Sequence, residues 1–329
     1  MLSKDHERLL VKVSRYYYDQ ELTQSEISDR LRLSRQKVQR LLKQALDQGI
    51  VQITIRPVIG AFPELERMLE NRFALKEAIV VETTDFEDQF IVAREVGVGA
   101  ADYLMRVVQP QDSIVISWGG SLLGMVNALY SRTQRSDLDG IKVIQGLGGL
   151  GDPIKEVHAA DLTRRLAQVL RGEAVLLPTP GVAGTREARD TYFEDPFVSH
   201  ILEQAHSANL AVMGIGAPRL DSILMREGKI VTVQDLDSLK HNGAVGDLNL
   251  RFFNENGKIV KSNFDQRVIG LTLDEIQGIE RVVGVAGGAA KVSAIRGALA
   301  GKLVDVLVTD QITANRVLKA GEAINSQVS

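Results

Sequence analysis

Five stretches of this 329-residue chain close an apolar run on glycines and small polar residues. That composition lets a backbone approach an anion and present its free N–H groups to it. The first is Ser117, Trp118, Gly119, Gly120 and Ser121. The second is GLGGLG at 146–151, with Gly148 inside it. The third is GIGAP at 214–218. The fourth is VAGGAAK, where Gly287 and Gly288 precede a helical pattern and Lys291 falls in its first turn. The fifth ends on Thr309 and Asp310. A lysine at a helix start is disfavoured by the helix dipole unless an anion lies close. In GAVGDLNLRFFNENG, 243–257, Asp247 can accept hydrogen bonds from sugar hydroxyls or can cap a turn. Any one loop alone is an ordinary tight turn, but together they point to a polar small-molecule site. None has the spacing of a dinucleotide fingerprint or a P-loop, so no NAD, ATP or other cofactor is expected. His158, His200, His206 and His241 show no metal-ligand spacing, and no Ser-His-Asp or paired-carboxylate pattern stands out. The absence of cysteine excludes disulfides and thiolate chemistry.

A second set of polar residues lies near the start, in LTQSEISDRLRLSRQKVQRLLKQALDQGI. Thr23 with Glu26 three residues on makes a capping box, and Leu22 can staple to Ile27. Ser34 caps a following helix, with Leu33 placed to staple to Val38. In that helix Val38, Leu41, Leu42, Ala45 and Leu46 share one face. Gln36, Arg40 and Lys43 point the other way, flanked by Arg35 and Gln39. Such a helix reads bases in the major groove: Arg suits guanine and Gln suits adenine, while Lys and hydroxyls hold phosphates. The candidate DNA contacts are therefore Thr23, Gln24, Ser34, Arg35, Gln36, Gln39, Arg40 and Lys43. Charge agrees. Residues 1–56 hold 11 basic against 7 acidic residues, whereas the remainder holds 28 against 35.

The elements that must carry these residues follow from periodicity. Residues 5–20, with Leu9, Leu10, Val13, Tyr16 and Tyr17 at helical spacing, predict a first helix, and 50–56 predict half of a β-wing. Pro57, Gly60 and Pro63 mark a linker, and Leu65, Met68, Leu69 and Phe73 stripe a helix that either connects to a partner subunit or packs on its own domain. From residue 78 apolar strands alternate with amphipathic helices, one of them over 155–171, which implies a largely parallel sheet covered on both faces. The fold class is thus α/β: a winged helix-turn-helix over 1–56, a linker and connector over 57–76, and a Rossmann-like effector-binding and oligomerisation domain over 77–329. No apolar run approaches the roughly 18 residues of a membrane span, and MLSKDHERLL lacks a signal-peptide core, so a cytoplasmic protein is expected.

The segments YYYDQELTQSEISDRLRLSRQKVQRLLKQALDQGIV, SWGGS, GIGAP, GAVGDL, VAGGAAKVSAIRGAL and VLVTDQITA together resemble the SorC (DeoR-like) family of bacterial sugar-responsive transcriptional regulators. The resemblance implies a sugar-phosphate isomerase/deaminase-like body that keeps binding without catalysis. It also implies a homotetramer, a dimer of dimers, on double-stranded palindromic operator DNA. It places an effector's phosphate at Gly119–Ser121 and effector contacts at Asp247 and Lys291. With Trp118, Gly148, Gly287, Gly288 and Asp310 these complete the candidate effector set. The loop here has one hydroxyl, Ser121, where family members often have two, so a free sugar or polyol stands beside a sugar phosphate. An active isomerase or deaminase with a regulatory head is the alternative.

Overall fold

The computed structural model describes residues 4–53, 60–132, 137–149, 159–219 and 231–320. The chain divides into two compact units, Met1–Val58 and Ile59–Ser329.

In the first unit, α1 (Lys4–Ser14) runs into a π-helical turn, Arg15–Asp19, before α2 (Gln24–Leu31) and α3 (Arg35–Asp47). The sequence predicts one regular helix over 5–20. The π turn instead shifts the phase of the last residues, so Tyr16 packs on the core while Tyr17 is exposed. Thr23 forms the expected capping box: its Oγ1 accepts from Glu26 N at 3.3 Å, and Glu26 Oε2 accepts from Thr23 N at 2.8 Å. These bonds hold the Glu26 carboxyl below its usual pKa. Between the helices Arg32 takes a left-handed conformation, φ 51°, and Ser28 Oγ donates to Leu33 O at 2.7 Å. Ser34 Oγ then accepts from Lys37 N at 3.2 Å to start α3. Leu10, Val13, Ile27, Val38, Leu41, Leu42 and Ala45 form the buried core. Leu46, expected on the apolar face, is 39% exposed. Residues 50–53 carry no strand, and 54–56 of the expected wing lie outside the described residues.

The second unit is a sheet with helices on both faces. In chain order it runs α4 (Pro63–Phe73), β1 (Glu77–Val81), α5 (Gln89–Val107), β2 (Ser113–Ile116), α6 (Gly120–Tyr130) and β3 (Lys142–Gln145). Then come α7 (Ala159–Val169), β4 (Glu173–Val175), α8 (Arg186–Glu194), α9 (Pro196–His206) and β5 (Leu210–Gly216). It continues through α10 (Val233–His241), β6 (Gly246–Leu248), β7 (Arg251–Phe253), α11 (Leu273–Gln277) and β8 (Arg281–Val285), and ends with α12 (Val292–Ala300), β9 (Val306–Asp310) and α13 (Gln311–Lys319). The helix expected over 155–171 is described from Ala159; 155–158 lie outside the described residues.

The strand order is β1-β9-β8-β5-β2-β3-β4, all parallel, with β6 and β7 added antiparallel to the end of β5. Two apolar clusters fill the layers, one including Val92, Ile114, Leu122 and Leu166, the other Val115, Ile201, Met213 and Leu307. After β2 the chain winds outward to β3 and β4. After β5 it winds the opposite way, to β8 and β9. The direction reverses between β2 and β5, which are neighbours. In open α/β sheets ligands bind at that reversal, beyond the carboxyl ends of the strands.

Candidate effector pocket and DNA-reading helix

A cavity of about 600 Å³ opens where the winding reverses. Ser117–Ser121 line it from the end of β2, Gly214–Ala217 from β5, and Val285 with Ala289–Lys291 from β8. Phe86, Glu87, Gln89, Phe90 and Ala93, around the start of α5, form another wall. Two close helix contacts fix that wall against the β2 loop. A Cβ on Gly97 of α5 would lie 2.5 Å from Met125 N, and one on Gly124 of α6 would lie 2.9 Å from Ala93 O. Glycine at both positions lets the helices approach backbone to backbone, so their N-terminal ends share one rim.

Six helices of this unit start on a side-chain cap: Asp88, Thr185, Asp195, Thr232, Thr272 and Asp310 each accept bonds from the first turn. Of the three that begin at the cavity, α5 is among these, but α6 and α12 are not. α6 starts on Gly119, at φ 134°, with no side-chain cap. The 3₁₀ turn Ala289–Lys291 and α12 after it start on Gly288 and Lys291, also without one. The first N–H groups of a helix have no intrahelical partner. Here two such sets face one cavity, each at the positive end of a helix dipole. Lys291 adds a cationic side chain to the same wall.

The acceptors face them. Asp247 is 5% exposed, and its Oδ2 accepts from Leu250 N at 3.3 Å. Its Oδ1 is buried with no partner. Burial pushes the Asp247 carboxyl up to about 6, opposed by the Leu250 N–H and the Lys291 charge. Burial pushes Lys291 down, opposed by Asp247. Ser121 Oγ, on the cavity wall, is likewise buried without a partner. An orphaned buried polar atom costs about 1–3 kcal/mol, and it is tolerated where a ligand supplies the bond. Gly216 makes room for the carboxylate: a Cβ there would sit 1.9 Å from Asp247 Oδ1.

Of the residues expected to bind effector, Trp118, Gly119, Gly120, Ser121, Asp247 and Lys291 share the cavity wall. Gly287, Gly288 and Asp310 lie behind it. Asp310 Oδ1 caps α13 by accepting from Ile312 N and Thr313 N, while Oδ2 accepts from Gly288 N at 3.0 Å. A Cβ on Gly287 would lie 2.5 Å from that same oxygen. These three shape the loop that presents Lys291. Gly148 is placed elsewhere. Its N–H donates to Ile269 O, and a Cβ on it would meet Pro180 O at 2.4 Å, so it is a packed crossing of two loops. Phe86, Gln89, Phe90 and Asn249 line the cavity without any glycine or charge signal in the sequence to mark them.

On the first unit, Thr23, Ser34, Arg35, Gln36, Gln39, Arg40 and Lys43 are exposed, and Gln24 is half-buried. Arg40 Nε donates to Gln36 O at 3.4 Å, which keeps that side chain along the helix. The outward face of α3 is polar and basic while its inner face is core.

Comparison with known proteins decides the family. Residues 58–319 match the Sugar-bind family, described as "Putative sugar-binding domain", and residues 6–48 match sigma-70, region 4. The chain belongs to the SorC family of sugar-binding bacterial transcriptional regulators. It is 30% identical to the deoxyribonucleoside regulator of Bacillus subtilis over 96% of this chain and 99% of that protein. It is 30% identical to the sorbitol operon regulator of Klebsiella pneumoniae over 97% of this chain and 100% of that one. The crystal structure of full-length SorC from K. pneumoniae superposes with a TM-score of 0.71 at 29% identity, covering 96% of this chain and 100% of that chain. SorC relatives are thus similar through both units. Among the described residues no helix is long and apolar enough to cross a membrane, and no group of His, Asp and Glu could hold a metal ion.

Proposed function

We infer that this chain is a one-component transcriptional regulator. A sugar or sugar phosphate enters the cavity beyond β2, β5 and β8, and its binding changes the affinity of the helix-turn-helix for operator DNA. The observation that carries this reading is the pair of uncapped helix starts facing Lys291, Asp247 and Ser121 in one cavity. An anionic group fits the two dipole ends and Lys291, and hydroxyls fit the orphaned oxygens of Asp247 and Ser121. Gly120 and Ser121 N–H groups are the natural seat for a phosphate, and Asp247 for the sugar's hydroxyls. α3 supplies the reading head, with Arg35, Gln36, Gln39 and Arg40 at base edges and Thr23, Gln24, Ser34 and Lys43 on phosphates.

The protein acts in the cytoplasm as a homotetramer, a dimer of dimers, so that paired heads meet the two halves of a palindromic operator. Binding without turnover fits the cavity: its carboxyl stands opposite a lysine and two helix starts, an arrangement for holding an anion. Isothermal titration against pentose and hexose phosphates tests the reading. Saturable binding with one site per chain, without product formation, is the expected result. Conversion of any of these ligands by the purified protein would instead establish the isomerase or deaminase alternative.

A further inference from the structure

Asn249 on the cavity wall is explained by neither the charge pattern nor the phosphate seat. Asn249 sits at the turn joining β6 to β7 and is 2% exposed. Leu248 pairs with Arg251 across the hairpin, which leaves Asn249 and Leu250 as its two central residues, at φ 55° and 62°. Two consecutive left-handed residues define a type I′ turn, for which Asn followed by Gly is the favoured pair. The turn explains an asparagine backbone at 249. It does not explain a buried side chain, since turn asparagines are ordinarily solvated.

The amide's orientation is fixed by its neighbours. Asn249 Nδ2 donates to Gly146 O at 2.8 Å and approaches Leu271 O at 3.5 Å. The reverse orientation would set the amide oxygen against two carbonyl oxygens, so Nδ2 must face them. Oδ1 is then left buried with no partner, on a residue that lines the effector cavity. The hairpin is held rigidly. Arg251, 3% exposed, donates five bonds, to Leu271 O, Asp265 O, Asp265 Oδ1, Val268 O and Gly270 O. Asn249 therefore cannot easily turn away to find water.

We propose that Asn249 Oδ1 is a specificity-determining acceptor that reads one hydroxyl of the effector, in addition to the group held by Asp247. An acceptor fixed this way demands a donor at one position and penalises a ligand that lacks it, because the oxygen then stays unpaired. This rests on the reading of the cavity as a sugar or sugar-phosphate site. It adds which kind of ligand is refused: the analogue deoxygenated at that one carbon.

The test is titration calorimetry with ribose 5-phosphate, fructose 6-phosphate and glucose 6-phosphate, each with its series of monodeoxy analogues. The wild-type chain is compared with Asn249→Gly, which accepts the left-handed backbone without strain and removes the acceptor. Thermal unfolding of both checks that the variant is folded, and Asn249→Ala, which also lacks the acceptor, serves if the glycine variant is not. For the parent sugar that binds best, removing one particular hydroxyl weakens wild-type binding about tenfold or more. In Asn249→Gly, or in Asn249→Ala, the gap at that hydroxyl falls below about twofold while the gaps at other hydroxyls persist. A purely structural role would weaken all analogues alike, and that uniform pattern overturns the proposal. If no parent sugar binds the wild-type chain, the effector reading fails and this proposal falls with it.

Discussion

At the scale of single residues, the site turns on Asp247. Its carboxyl holds a proton more tightly in the folded chain than at its ordinary value of 3.8, because burial penalises the charge. Between about pH 4 and the folded value of about 6, the folded state therefore carries more protons than the unfolded one. Stability contributed by this group falls as pH rises through that window and is level above it. Asp247→Asn keeps the shape and removes the charge. The variant should lose this slope, read by denaturant melts across pH. It should also bind effector at least about tenfold more weakly. Gly216 gives the complementary experiment. In Gly216→Ala the new Cβ would meet Asp247 Oδ1 at 1.9 Å, so the carboxylate must move. Effector binding should drop by more than about tenfold on calorimetry, while DNA binding by the separate first unit stays within about twofold. Loss of both together would mean that the glycine serves folding and not the cavity.

At the scale of elements, the reading head depends on two local caps and one outward face. Ser34→Ala removes the acceptor for Lys37 N and should destabilise that unit by about 1 kcal/mol, seen in its own melting transition. Arg40→Ala leaves the core untouched. It should weaken duplex binding by about 1–3 kcal/mol in anisotropy titrations and leave effector affinity unchanged. These elements were legible in the sequence because caps and staples are contacts between residues three to five apart. Thr23 with Glu26, and Ser34 with Lys37, are complete within one turn. The strand-end glycines were legible for the same reason. What the sequence could not tell was which strand ends meet. That depends on β2, β5 and β8 lying side by side, a property of sheet order over some 170 residues. Hence Trp118–Ser121 and Lys291 converge, while Gly148 ends in a loop crossing against Pro180. Asp310, at the end of β9, caps α13 and accepts from Gly288 N, contacts that only the folded sheet reveals. Asn249 carries no local signal, because nothing in its neighbours along the chain reveals that its amide is buried and fixed by Gly146 O. Tyr17 was assigned to the first helix's apolar face because periodicity assumes a regular helix, and the π turn breaks that assumption.

At the scale of the whole molecule, effector binding and DNA binding must be linked, and linkage is reciprocal. If ligand changes duplex affinity by some factor, duplex changes ligand affinity by the same factor. A homotetramer would show four chains' mass in light scattering, and a dimer would restrict each assembly to one pair of half-sites. The central claim is that the cavity controls the head. The most direct measurement is the affinity of the full chain for a labelled duplex, selected from random DNA by the protein itself. It is taken with and without the saturating sugar phosphate identified by calorimetry, for wild type and Gly216→Ala. The wild-type Kd should change roughly five- to 150-fold and that of the variant not at all. A ligand that saturates the wild-type cavity and leaves its duplex Kd unchanged within about twofold would show that the cavity does not control the head.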